Sequence, residues 1–285
     1  KALGKIEVGN DDSETIPSLT QILKQNLNSK KISETIITAL SQIEGDSRLF
    51  STLLDLKWEE KFYDSGRDNW KNNWFVDGQK ATINNTEQGM VFKAGNKPGE
   101  AASHSVLWTN ESFTGDLKIE YNYTKLDDMI KAVNIIYIQA TGNGKYPFVK
   151  DIEKWSDLRV VPNMYLYYNY MHAYHISYAA WTNDNNDPEA DYIRARRYSA
   201  TPSLKGTEIN PDYKPEGLFN RGVLNKIKII KISNHIFMKI ENSNASKLCH
   251  WHNTDFSSIE EGYIGLRHMA TRASRYSNFR VFERK

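Results

Sequence analysis

The chain has 285 residues, 39% of them apolar, and a mean hydropathy of −0.64; no apolar run approaches the ~20 residues of a membrane-crossing helix, so the sequence predicts a water-soluble protein. Thirty-seven Lys and Arg against 35 Asp and Glu leave a formal charge of +2, which argues for neither nucleic acid nor a membrane surface as partner. A single cysteine, Cys249, excludes an intrachain disulfide and with it a small stapled scaffold.

Residues 1–50 read as a helical extension. Pro17, with Ser13 and Thr15 as candidate caps, precedes Leu19, Ile22, Leu23 and Leu27 at helical spacing. A second helix follows through Ile32, Ile36, Leu40 and Ile43, closed by Gly45. From residue 51 to residue 285 one large β domain is expected. Beyond Trp58 the period changes to two: Lys118–Tyr123, Ile227–Ile232 and Ile236–Ile240 alternate as half-buried strands, separated by Gly, Asn and Asp turns. Many short strands with such punctuation predict a mainly β sandwich of the jelly-roll kind. Pro202 to Gly222 carries no strand pattern and reads as an extended loop beside a cleft.

The densest chemistry lies between Met164 and Trp181, where six of the sixteen tyrosines fall between Tyr165 and Tyr178 together with His172 and His175. A tyrosine offers a flat apolar face and a hydroxyl, which suits a sugar ring; the plainer reading is two aromatic strands filling a core. Alternation puts His175, Ser177 and Ala179 on one side of their strand, and Tyr192, Arg194, Arg196 and Tyr198 on one side of the next. Tyr137 and Gln139 share a face upstream, and Arg267 opposes Leu266 and His268 downstream. Arginine is also unevenly spread: residues 1–150 hold only Arg48 and Arg67, whereas Arg194, Arg196, Arg197, Arg267, Arg272, Arg275 and Arg280 come late. Its two-pronged fork suits carboxylate or sulfate, and ordinary ion pairs are the alternative.

If those faces coincide, they hold the inventory for elimination at a uronate. Arg or Gln neutralises the carboxylate, a neutral His or Tyr takes the C5 proton, and a Tyr or His protonates the oxygen leaving C4. The expected catalytic set is His175 as base with Tyr192, Tyr198 and Arg196. Gln139, Tyr137, Arg194, Arg267, His104, Tyr174 and Trp251 are the expected substrate contacts. No strand-face pair of acids of the kind a glycosidase needs stands out. Cys249, His250, His252 and Asp255 are weak zinc signals, and the Asp184–Asp191 loop a weak calcium one; no essential metal or other cofactor is expected.

Trp58–Gly78, His104–Trp108, Ile136–Gly142, Tyr174–Ala179, Asp191–Tyr198 and Gly265–Met269 resemble the YesU-like family of concanavalin-like, galectin-type jelly rolls, over roughly residues 58–282. That resemblance implies a sandwich fold and a place in bacterial breakdown of acidic plant and algal polysaccharides. Some jelly-roll proteins of such pathways are lyases, and one type is a dehydratase of ulvan fragments. The expectation is therefore a carbon–oxygen lyase acting on an acidic oligosaccharide or polysaccharide, expelling sugar or water. A glycoside hydrolase of acidic glycans and a non-catalytic carbohydrate-binding module are the alternatives. The start at Lys1, read as the trace of a removed signal peptide, adds the expectation of a periplasmic or secreted protein.

Overall fold

The computed structural model describes residues 19–23 and 30–285; the candidate caps Ser13 and Thr15, the first-turn Pro17, and Leu27 lie outside them. The chain divides into two compact units, residues 1–57 and 58–285. In the first, residues 19–23 are helical, and α1 (Lys30–Glu44) buries Ile36, Ile37 and Leu40. Gly45 takes a left-handed φ of 75°, a conformation that costs glycine little. The first helix ends there, as the sequence reading expects, and the next begins at once. A further helix, α2 (Asp46–Leu54), buries Leu49, Phe50 and Leu53 and runs through residue 50, where the sequence reading placed the domain boundary.

The second unit is a sandwich of two antiparallel sheets. One runs in the order β13 (Ser246–His252), β12 (His235–Glu241), β11 (Leu224–Ile232), β6 (Leu117–Lys125), β15 (Ala273–Arg284), β4 (Gly89–Lys93) and β3 (Thr82–Thr86), with β1 (Trp58–Asp64) also on β15. The other runs β10 (Glu208–Tyr213), β9 (Tyr192–Ser199), β8 (Met171–Ala180), β7 (Asn134–Gly142), β14 (Glu261–His268), β5 (Ser105–Thr114) and β2 (Trp74–Asp77). The predicted β sandwich is the observed one. Alternate residues such as Ile119, Ile136, Ile176, Ile229 and Leu266 meet between the sheets and form the main core, as period-two strands require.

A second apolar cluster covers the other face of the β10–β2 sheet. Residues 143–170 fold over it, so that Trp155 and Tyr167 pack on Val106, Trp108, Tyr137 and Tyr198. Gly265 makes room for this layer: a Cβ there would stand 2.4 Å from the Trp108 ring.

Two segments differ from the sequence reading. Met164–Tyr170 is not strand but helix, α3, capped by Asn163, whose side chain accepts from the Tyr165 amide. A run of tyrosines has no period that separates helix from strand, and the cap decides. The Pro202–Gly222 segment is not all loop, since it contains β10. That strand lies at the sheet edge, where Pro211 is tolerated because no ladder bond is lost there.

Candidate functional site

Register brings the predicted faces together. Tyr137, His175, Arg196 and Glu208 stand side by side across β7, β8, β9 and β10. Arg267, Ile135, Ser177 and Arg194 form the neighbouring row across β14, β7, β8 and β9. Directly opposed side chains on one face are neighbours, so His175, Tyr137, Tyr198, Arg194, Arg196 and Arg267 do share one surface.

His175 is its centre. One ring nitrogen, Nδ1, lies 2.5 Å from the Tyr198 hydroxyl and the other, Nε2, 2.6 Å from Ser177 Oγ. Burial first, then the charges of Arg196, Arg267 and Arg194, hold the imidazole well below its usual pKa. The ring is therefore neutral at neutral pH, the form a base needs. It is also only 3% exposed. Burial pushes the Tyr198 hydroxyl well above the usual range, which keeps it a proton donor.

The open part of the surface is formed by β9. Arg194 grips Asp212 through Nε and Nη2 at 2.6–3.0 Å and lies over the Tyr192 ring at 4.6 Å. Arg196 reaches Glu208 at 2.7 Å, Thr207 Oγ1 at 3.1 Å and the Leu204 carbonyl at 3.0 Å, all through Nη1. The two guanidinium side chains keep 30% and 14% of their surface exposed. Burial raises the Tyr192 pKa, which keeps its hydroxyl protonated.

The remaining expected contacts are either covered on that face or fall elsewhere. Arg267 is fully buried, with Nη2 donating to the Pro162 carbonyl at 2.7 Å and lying 3.1 Å from His104 Nδ1, and with its guanidinium over Tyr167 at 4.5 Å. Its Nη1 has no partner among the described residues. Burial and that neighbouring charge lower His104 to about 4. Gln139 sits at a register break with a left-handed φ of 54°; its amide donates to the Gly115 carbonyl at 2.9 Å, so it braces a turn rather than joining Tyr137. A break between Ser177 and Ala180 likewise puts Ala179 in the inter-sheet core. Tyr174 and Trp251 belong to that core too, held by Asn253 and the Pro211 carbonyl.

The late arginines disperse into pairs: Arg272 with Asp127 at 3.1 Å, Arg280 with Glu60 at 2.7 Å, and Arg275 with Gln88. Cys249 faces the core, where burial raises its thiol to about 12. His250 and His252 lie against His235, at 3.0 Å between nitrogens and 4.0 Å between ring centres respectively. Among the described residues no group of three His, Cys, Asp or Glu side chains is arranged to hold a metal.

The sequence reading missed what fastens the cover. Asp77 Oδ2 accepts from Trp108 Nε1 at 2.8 Å, Arg159 Nε at 2.6 Å and the Tyr167 hydroxyl at 2.9 Å. Asp77 and Arg159 side chains are both 0% exposed, and Trp108, Tyr137 and Tyr167 stack beside them at 5.4–6.4 Å. In the sequence Asp77-Gly78 reads only as a turn. The available signal was Trp155 and Arg159 one helical turn apart, which puts a cation and an indole on one face; the guanidinium lies 4.1 Å over that ring.

No family model matches the chain, and no curated protein matches it in sequence. Among solved structures it is similar to a Bacillus subtilis protein of unknown function with a galectin-like fold, at 16% identity and a TM-score of 0.58, over 80% of this chain and 100% of that one. It also matches the exoplasmic/lumenal domain of VIP36 in its Ca2+/Man3GlcNAc-bound form, at 10% identity and a TM-score of 0.49, over 79% and 91% of the two chains. A carbohydrate-binding module from Bacillus subtilis matches at 11% identity and a TM-score of 0.43, over 73% and 93%. The fold is thus a galectin-like, concanavalin-type jelly roll.

Proposed function

We propose that this sandwich binds an acidic saccharide on the face of the β10–β2 sheet, across β8, β9 and β10. The observation that carries the reading is the row Tyr192, Arg194 and Arg196, the part of that face left half-open beside the cover. A sugar ring stacks on Tyr192, and its carboxylate or sulfate takes guanidinium nitrogens that Asp212 and Glu208 leave free. Isothermal titration with a uronate oligosaccharide, and with a neutral one of equal length, tests it. Selective binding of the acidic ligand, lost in Arg194→Ala/Arg196→Ala, supports the reading; equal binding of both contradicts it.

The pair formed by His175 and Tyr198 favours a second, catalytic reading: β-elimination at the uronate. Arg194 or Arg196 neutralises the carboxylate, and neutral His175 removes the C5 proton after exchanging Ser177 for substrate. The electron pair forms the C4–C5 double bond, and a tyrosine hydroxyl protonates the leaving oxygen of a sugar or of water. Hydrolysis is less well served, because the two carboxylates beside the β9 row, Asp212 and Glu208, are already engaged by arginine. The YesU-like resemblance extends the proposal to fragments of acidic plant and algal polysaccharides, ulvan among them, and to a periplasmic or secreted setting. Ultraviolet absorbance of the conjugated product separates elimination from binding alone.

A further inference from the structure

A groove of about 440 Å³ opens at one end of the sandwich. It lies where the end of β7, the start of β8 and the middle of β9 meet the segment leading into β14, and His172, Arg197, Glu260 and Glu261 are among its lining residues.

Arg197 is only 5% exposed. Its guanidinium lies 5.7 Å from the Tyr174 ring centre, Nη1 donates to the Tyr198 carbonyl, and Nη2 reaches the Ser257 carbonyl at 3.4 Å. Three contacts thus fix the group, yet its buried Nε has no partner among the described residues. The same is true of His172 Nδ1. Burial and the Arg197 charge lower the His172 pKa, against a hydrogen bond to the Tyr198 carbonyl. Nδ1 can accept from or donate to a ligand hydroxyl, according to which ring nitrogen carries the proton. A fixed guanidinium donor and an imidazole nitrogen, both buried and both unpaired among the described residues, therefore line one groove. Buried polar groups of native proteins are almost always paired, and a ligand completes this pair.

We propose that the groove binds a sugar acid: a carboxylate oxygen accepts from Arg197 Nε, and a neighbouring hydroxyl hydrogen-bonds with His172 Nδ1. Glu261, already held by Lys150 at 2.5 Å, and Glu260, which accepts from the Ser258 hydroxyl, receive further sugar hydroxyls. This mixed lining selects the class. A bare anion meets two carboxylates, and a neutral sugar offers Arg197 Nε only a hydroxyl acceptor, without the charge assistance of a carboxylate. The site is separate from the β9 row and does not depend on it.

The test follows the His172 ring resonances, assigned by comparison with His172→Gln, during titration with glucuronate, glucose and inorganic sulfate. Titrations use the full chain and, in parallel, Arg194→Ala/Arg196→Ala. The expected result is a saturable shift with glucuronate in both proteins, at least tenfold weaker responses to glucose and sulfate, and, by isothermal titration, tenfold weaker glucuronate binding in His172→Gln. Arg197→Gln is informative only if it folds, because two carbonyls depend on that residue; His172→Gln and the ligand comparison decide without it. An unmoved His172 signal, or equal responses to glucose and glucuronate, overturns the proposal. Sulfate binding as tightly as glucuronate reduces the groove to a general anion site and overturns it as well. Loss of the response in Arg194→Ala/Arg196→Ala assigns the ligand to the β9 row instead.

Discussion

Replacing Asp77 by alanine tests whether the cover over the sheet is held by one carboxylate. The Arg159 side chain would be left 0% exposed with its Nε unpaired, and breaking a buried ion pair costs roughly 3–5 kcal/mol. The Trp108 and Tyr167 donors lose the same acceptor, at about 1–3 kcal/mol for a buried donor left unsatisfied. These losses overlap in one network, so about 4–6 kcal/mol in total is expected rather than their sum. Urea unfolding followed by tryptophan fluorescence gives the number, with Trp155 reporting from the cover and Trp108 from the strand beneath it. Asp77→Ala/Arg159→Met removes both charges and should recover about half of the loss, because no orphaned cation remains. A loss below about 1 kcal/mol for Asp77→Ala, or no recovery in the double variant, would refute the pairing as the fastening of the cover.

Three other outcomes follow. His175→Asn should lower any elimination activity about 100-fold or more while binding of the acidic ligand stays within a few-fold; near-normal turnover removes His175 as base. His268 is buried against Phe92 and Tyr276, and its pKa is lowered to about 3. The unfolded chain takes up this proton near pH ~6.5 and the folded one does not, so stability is complete above that pH and falls as the pH drops towards about 3. Between pH 6.5 and 5 the loss amounts to up to about 2 kcal/mol, and urea midpoints of His268→Gln should show a flatter pH dependence; an unchanged slope contradicts the assignment. Dialysis against a strong chelator should leave acidic-saccharide affinity within a factor of about two, and loss restored by calcium or zinc would overturn the metal-free account.

The strands of the sandwich were legible because burial on one face forces alternation. Ile119, Ile229 and Met238 announce their strands in the sequence, and the same parity placed His175, Arg194, Arg196 and Tyr198 together. Parity fails wherever a residue is inserted into the ladder. Gln139 and Ala179 both sit at such breaks with positive φ, and no local pattern marks them. Tyr174 and Trp251 carry sugar-binding chemistry but lie on the core side, so residue type misled where parity would have served. The cover was illegible for another reason. Asp77, Arg159 and Tyr167 meet across 82 and 90 residues of chain, a separation at which one sequence holds no record of contact. Arginine crowding near the C-terminus marked no site, because Arg272, Arg275 and Arg280 find partners on three different strands or loops.

In the proposed function the β9 row recruits an acidic saccharide beside His175. The most direct measurement is the His175 ring resonance during titration with a uronate trisaccharide and with a neutral trisaccharide. A saturable shift with the uronate ligand, a much smaller one with the neutral ligand, and roughly ten- to hundred-fold weaker binding in Arg194→Ala/Arg196→Ala are predicted. A uronate ligand that binds while leaving the His175 signal unmoved, or that binds the double variant as well as the parent, would contradict the account.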